Sequence, residues 1–231
     1  MPDNAAAARP GHARPSAVGA LPGAGWLLLA VLATGVAVWS MRYGLPVVPQ
    51  PNLSNFVTRR PALTVHALSA SIALLVGPWQ FLPGLRARCI ALHRALGRTY
   101  AVAVLVAWLS SIPIALHAET GAVASAGFLA LGAAWIATTA VAVERAMQRD
   151  IAAHRRWMVR SYALTAAAIT LRIYLGAGIA LGIPLTVVYP AIAWLCWVPN
   201  LLAAEWWVRR AVPGLQSARR SGARWQSPEL D

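Results

Sequence analysis

Residues 154–162 read HRRWMVRSY and lead into a long apolar run that contains Arg172. The segment brings a histidine, arginines and tyrosines into a helix that is otherwise apolar. A shorter version occurs upstream, where His93-Arg94 precedes Arg98-Thr99-Tyr100 in the way that His154-Arg155 precedes Arg160-Ser161-Tyr162. The two copies indicate two points at which a polar segment enters a membrane helix.

The composition is that of a membrane protein. Hydrophobic residues make up 58% of the 231 residues and charged residues 12%, and the mean hydropathy is +0.57. A soluble domain cannot bury so much apolar surface, and apolar runs of about 20 residues are typical of membrane helices. The net charge of +13 does not indicate nucleic acid binding, because the arginines that carry it cluster between apolar runs. Two cysteines, Cys89 and Cys196, are too few for a disulfide framework, so we expect free thiols.

Six apolar runs predict an all-α fold, a single bundle of six transmembrane helices. The runs lack the alternation of barrel strands, and only helices or closed barrels satisfy the backbone in hydrocarbon. We place the helices at residues 25–43, 62–82, 98–117, 122–143, 157–181 and 185–208, inside a membrane domain at 23–210. Residues 1–22 are predicted to be a disordered cytoplasmic tail. Residues 211–231 are predicted to be a basic cytoplasmic tail that lies against anionic lipid headgroups.

The repeated motif also predicts an internal two-helix repeat, in which the second and third helices correspond to the fourth and fifth. Arg98 and Arg160 are 62 residues apart. Two helices per repeat preserve orientation, so the symmetry axis would run along the membrane normal. The repeat does not extend to every polar residue, because Phe128 and Ile179 stand at the positions shifted from His66 and His117.

Four histidines and one arginine are the candidate site residues. The predicted topology places His66 and His117 near the outer face of the membrane. His93 comes just before the third helix at the inner face, and His154 begins the fifth helix there. Arg172 lies within the fifth helix, where a charged side chain costs roughly 2.5–3.5 kcal/mol on insertion scales, so it should meet an anion, carbonyl groups or water.

Helical periodicity predicts how these side chains are oriented. His154 and Arg172 are 18 residues apart, which is five turns, so they should share one face with Ser161 and Thr165. We expect the Arg172 guanidinium to point into a cavity in the outer half of the bundle, bounded by the second, third and fifth helices. His66 and His117 should be its nearest titratable neighbours.

Several motifs resemble a bacterial membrane protein family known as domain of unknown function 2306. They are Gly77-Pro78-Trp79-Gln80-Phe81, Leu92-His93-Arg94 with Gly97-Arg98-Thr99-Tyr100, residues 154–174, and Trp197-Val198-Pro199-Asn200 with Glu205-Trp206. The likeness covers roughly residues 62–210. It implies a multi-pass protein, which we expect in the bacterial inner membrane, and it implies no established activity.

Three functions remain open on the sequence. The paired histidines are similar in general plan to diheme b-type cytochromes, in which His66 with His117 and His93 with His154 would ligate haem b for electron transfer and arginines would pair with the propionates. The alternative is transport or binding of a small anion or lipid-like molecule along a polar route that includes Arg172, Ser161, Thr165 and Gln80. The third is a structural or regulatory membrane subunit. The sequence contains no HExxH motif and no evident Ser/His/Asp set or carboxylate pair, which disfavours a hydrolytic enzyme.

The arginine distribution generates a testable topology. All 20 basic residues are arginine, and with the N-terminus inside, sixteen fall on the cytoplasmic side and three on the outer side. Positive charge of this kind is retained on the cytoplasmic side, so both termini should be cytoplasmic. Reporter fusions after residue 52 and residue 231 measure this. We expect an external signal at 52 and a cytoplasmic signal at 231, and a cytoplasmic signal at 52 would contradict the topology.

Overall fold

The structure, a computed structural model, describes residues 23–44 and 54–211, and these residues form helices and short connections with no β-strand among them. The predicted tails at 1–22 and 211–231 lie outside the described residues, except for Ala211, which ends the last helix. Six spans are long and apolar enough to cross a membrane: Gly23–Gly44, Arg60–Phe81, Ile90–Leu116, Ala122–Met147, Ile151–Ala180 and Leu185–Arg210. The prediction of an all-α protein with six membrane spans is confirmed.

The helices within these spans have the following bounds. The first span is helix Gly23–Met41 with a 3-10 turn at Arg42–Gly44, and the second is helix Arg60–Val76 with a 3-10 turn at Pro78–Phe81. Short helices at Ser54–Thr58 and Pro83–Arg88 precede the second and third spans. The third and fourth are helices Ile90–Leu116 and Ala122–Met147. The fifth consists of Ile151–Thr165 and Ala167–Ala180, and the sixth of Leu185–Leu195 and Val198–Ala211.

The third and fifth spans begin earlier than their apolar runs. Their helices start at Ile90 and Ile151, so the expectation that His93 precedes the third helix is wrong, and His93 lies in its first turn. The arginines that precede the two apolar runs lie within these helices, which is possible because a helix can extend beyond the hydrocarbon of the membrane. We call this end of the bundle the arginine-rich end, and the opposite end, near Arg42 and Arg60, the arginine-poor end.

Large apolar side chains cover the outside of the bundle, and small ones fill its interior. Leu27, Val102 and Leu202 are among many that are more than half exposed, whereas Ala37, Ala73 and Ala107 are fully buried. Membrane helices approach one another through small residues and present large apolar residues to lipid. The placement of large apolar residues outside and small residues inside therefore fits a bundle that is surrounded by acyl chains.

Two spans approach closely at Gly77, which follows the last residue of helix Arg60–Val76. A Cβ atom at this position would lie 1.9 Å from Cε2 of Tyr162 in the fifth span. The Tyr162 ring has little freedom to move, because it is 4% exposed and its hydroxyl donates to the Leu74 carbonyl at 3.1 Å. The second and fifth spans can therefore pack together only if residue 77 has no side chain.

This contact predicts that Gly77→Ala destabilises the protein. Insertion of a methyl group into a packed interior typically costs about 1–3 kcal/mol, and the overlap at Gly77 is with a ring that is already anchored. Gly176→Ala is the matched control, because a Cβ at Gly176 meets nothing within 4 Å. Thermal unfolding of the detergent-solubilised variants, followed by tryptophan fluorescence, measures the effect. Equal midpoints for the two variants would contradict the close approach.

Candidate functional site

A buried network of hydroxyl groups joins the third, fourth and fifth spans. The Tyr100 hydroxyl lies 2.8 Å from Ser161 Oγ and 2.7 Å from Thr165 Oγ1. Thr139 Oγ1 lies 2.7 Å from Ser161 Oγ, and Trp135 Nε1 donates to Thr165 Oγ1 at 2.9 Å. Each of these five residues is less than 9% exposed. The polar face predicted for the fifth span is thus satisfied by its neighbours and does not face lipid.

The two tyrosines of the repeated motif lie next to each other at this centre. The ring centroids of Tyr100 and Tyr162 are 6.5 Å apart, and the Phe81 ring is 5.6 Å from Tyr162. The equivalent arginines differ, since Arg98 is exposed whereas Arg160 forms an ion pair with Glu205 at 2.7 Å. The internal repeat stays a prediction, but its matched tyrosines do meet in the core.

A second polar centre is a cavity of about 110 Å³ toward the arginine-poor end, between the first, second and fifth spans. Its polar lining residues include Ser40, His66, Ser71 and Arg172. Arg172 Nη1 donates to the Ala168 carbonyl at 2.8 Å, and Nη2 donates to Ser40 Oγ at 2.6 Å. The guanidinium therefore points into the bundle, as predicted. The cavity was expected between the second, third and fifth spans, but the first span takes the place of the third in its lining.

No carboxylate neutralises Arg172 within the described part of the chain. The ion pairs of these residues join Glu205 to Arg160 and to Arg209 and do not involve Arg172. The partners of Arg172 are a carbonyl and a hydroxyl, both uncharged. A guanidinium has five N–H donors, so two such bonds leave donors for a further acceptor in the cavity.

His66 contributes an imidazole to the same cavity. Its Nδ1 lies 2.9 Å from the carbonyl oxygen of Ala107 in the third span. A proton on Nδ1 would be donated to that carbonyl, and Nε2 would then be an acceptor. His66 thus lines the cavity with Arg172, as predicted, and Tyr43, which the sequence did not single out, lines it as well.

The structure does not bring His117 to this cavity. His117 is exposed at the end of helix Ile90–Leu116, where its Nδ1 lies 3.0 Å from the carbonyl of Pro113 in the same helix. The expectation that His117 neighbours Arg172 is therefore wrong, and the reason is that the helix end turns it outward. Its role as a haem ligand with His66 stays a prediction.

The other two histidines lie near each other at the arginine-rich end. His154 is an electrostatic neighbour of His93, together with Arg86, Arg94 and Arg155. His154 Nδ1 lies 2.8 Å from the Ala142 carbonyl of the fourth span, whereas His93 Nδ1 has no partner among the described residues. His154 and Arg172 contact the fourth and first spans respectively, and an interruption at Ala166 lies between their helices. The shared face expected of them stays a prediction. Haem ligation by His93 and His154 stays a prediction too.

The interruptions of the fifth and sixth spans lie beside each other. Thr170 Oγ1 donates to the Cys196 carbonyl, and Asn200 Nδ2 donates to Thr170 Oγ1 at 3.2 Å and to the Ala163 carbonyl at 3.3 Å. These side chains satisfy carbonyls near the two interruptions, which is the condition for broken helices in hydrocarbon. Cys196 is buried here and Cys89 is exposed, and both are free thiols as expected.

Sequence reasoning missed several residues of these centres. Tyr100 appeared only as part of the repeated motif, and Trp135, Thr139 and Ser40 carried no signal because single polar residues are common in membrane helices. Asn200 stood in a family motif without an assigned role. Within the described ranges, no group of three or more His, Cys, Asp or Glu side chains is placed to hold a metal ion.

Comparisons with known proteins give one match. A family model described as "Predicted membrane protein (DUF2306)" matches residues 63–208, close to the range over which the sequence motifs extend. No curated protein and no solved structure matches the chain. The match agrees with the six spans and carries no statement of activity.

Proposed function

The chain belongs to the family of predicted membrane proteins DUF2306, and from this premise we propose that it binds a small anion within the membrane, at the cavity that Arg172 and His66 line. We place the protein in the bacterial inner membrane with both termini in the cytoplasm, on the strength of the arginine distribution. The bound group that fits best is a carboxylate or a monovalent anion of similar size.

The observation that carries the proposal is a guanidinium with neutral partners at a polar cavity inside the bundle. Within the described residues Arg172 meets the Ala168 carbonyl and Ser40 Oγ, and no carboxylate lies within 4.0 Å. A cation in a membrane span is costly when it is not neutralised. An anion in the cavity would offset this cost and would accept bonds from the planar guanidinium fork.

The size of the cavity sets the class of ligand. A volume of about 110 Å³ corresponds to roughly three or four water molecules at their share of liquid volume. Acetate, formate or nitrate is of this size, as is the carboxylate end of a longer amphiphile. A haem is several times larger, so haem ligation by His66 at this place would require the surrounding spans to separate.

Anion-dependent stability of the purified protein tests the proposal. In a carboxylate-free buffer of constant ionic strength, acetate or nitrate should raise the unfolding midpoint of the wild-type protein in a saturable manner, because a ligand that binds only the folded state stabilises it. Arg172→Gln should abolish the rise. Arg60→Gln is the matched control, since Arg60 is exposed at the same end of the bundle, and it should keep the rise.

The outcomes separate the alternatives. If neither acetate nor nitrate shifts the wild-type protein while Arg172→Gln lowers its stability, the arginine is structural and the proposal is wrong. A Soret band at one haem per chain in the same preparations would favour electron transfer instead.

A further inference from the structure

Three buried polar atoms at the arginine-rich end have no hydrogen-bond partner within the described part of the chain. They are Gln80 Nε2, His93 Nδ1 and Arg155 Nε, contributed by the second, third and fifth spans. Gln80 is 6% exposed. Two of the three atoms are obligatory donors, and the imidazole nitrogen is a donor in one tautomer and in the protonated ring. Buried donors without an acceptor are unusual in folded proteins.

Arg86 connects these three residues into one cluster. Its Nη1 donates to the Gln80 carbonyl oxygen at 3.3 Å, and it is an electrostatic neighbour of both His93 and Arg155. Burial and the charge of Arg155 lower the pKa of Arg86, which lies between the spans in helix Pro83–Arg88. Gln80 Oε1 lies against Gly97, one turn along the helix from His93.

The described acidic residues do not supply an acceptor for this cluster. Glu205 pairs with Arg160 and Arg209, Glu144 accepts from Gln148, and Asp150 accepts from the backbone of Ala153. Glu119 accepts from Asn55 at the opposite end of the bundle. The charged neighbours of His93 are Arg86, Arg94, Arg155 and His154, all of them basic. The cluster is thus an excess of positive charge with unused donors.

We propose that Gln80, Arg86, His93 and Arg155 bind a phosphate group at the arginine-rich end of the bundle. A phosphate accepts several hydrogen bonds through its oxygens and is recognised by arginine forks. His93 lies in the first turn of helix Ile90–Leu116, whose N-terminal end favours negative charge, and Arg155 lies in the second turn of helix Ile151–Thr165. The phosphate is either free in solution or part of a phospholipid headgroup, since the chemistry of recognition is the same.

This site is separate from the Arg172 cavity, and neither proposal requires the other. The phosphate cluster shares no residue with the lining of that cavity. Arg172→Gln should therefore leave phosphate binding unchanged, and substitutions in the cluster should leave the acetate and nitrate effects unchanged.

The experiment uses the full chain and two probes. In detergent, the midpoint of thermal unfolding is measured against inorganic phosphate. In parallel, the protein is reconstituted with phosphatidylcholine, with or without phosphatidylglycerol, and native mass spectrometry records the lipid that stays bound. Arg155→Gln should lower the affinity for inorganic phosphate, obtained from the dependence of the midpoint on phosphate concentration, roughly tenfold or more. This is the effect expected for loss of a charge-assisted hydrogen bond. Arg88→Gln is the control, because Arg88 is exposed on the same short helix as Arg86.

Gln80→Met distinguishes a binding role from a structural one. The Gln80 amide nitrogen has no partner among the described residues, so replacement by an apolar side chain of similar length should leave the fold intact or stabilise it. The proposal requires that this variant nevertheless binds phosphate or phosphatidylglycerol more weakly than the wild-type protein.

The source of the phosphate follows from which probe responds. A response to inorganic phosphate alone identifies a free anion, and selective retention of phosphatidylglycerol identifies a headgroup. The proposal is overturned if neither probe binds, or if Arg155→Gln and Gln80→Met bind as tightly as Arg88→Gln.

Discussion

The interior of this bundle depends on the hydrogen bonds that the Tyr100 hydroxyl forms with Ser161 and Thr165. Hydroxyl groups that face hydrocarbon have no water to bond, so they must find partners within the protein. Thr139 and Trp135 complete the set from the fourth span. Side-chain hydrogen bonds therefore connect the third, fourth and fifth spans. Small residues on these helices permit the close packing that brings the hydroxyl groups together.

The fifth span links this centre to both candidate binding sites. Along it, Arg155 lies at the arginine-rich end, Ser161 and Thr165 lie in the hydroxyl network, and Arg172 lies beside the cavity at the arginine-poor end. Arg155 and Arg172 meet neutral or basic neighbours, unlike Arg160, which pairs with Glu205, and the hydroxyl groups between them satisfy one another. Arg155 and Arg172 have no acidic partner among the residues that the structure describes, whereas every hydroxyl group between them is hydrogen-bonded. This contrast favours the two binding proposals over a purely structural role for the two arginines.

The spans and their number could be predicted because apolar length is a local property of the sequence. The inward direction of Arg172 could also be predicted, since exposure of a guanidinium to lipid is too costly. Its neighbour His66 could be predicted from depth in the membrane, but its hydrogen-bond partner Ser40 could not, because Ser40 is one serine in an apolar helix and only packing brings it to the fifth span. The interruption at Ala166 could not be predicted either, because residues 164–168 contain no proline or glycine.

The claim that the hydroxyl network holds the spans together is tested most directly by a double-mutant cycle on Tyr100→Phe and Ser161→Ala. Free energies of unfolding are measured in detergent for the wild-type protein, both single variants and the double variant. A bonded pair should give a coupling energy of about 0.6 kcal/mol, the average for hydrogen bonds between membrane helices, and at most about 1.7 kcal/mol. Strictly additive effects of the two substitutions would contradict the account.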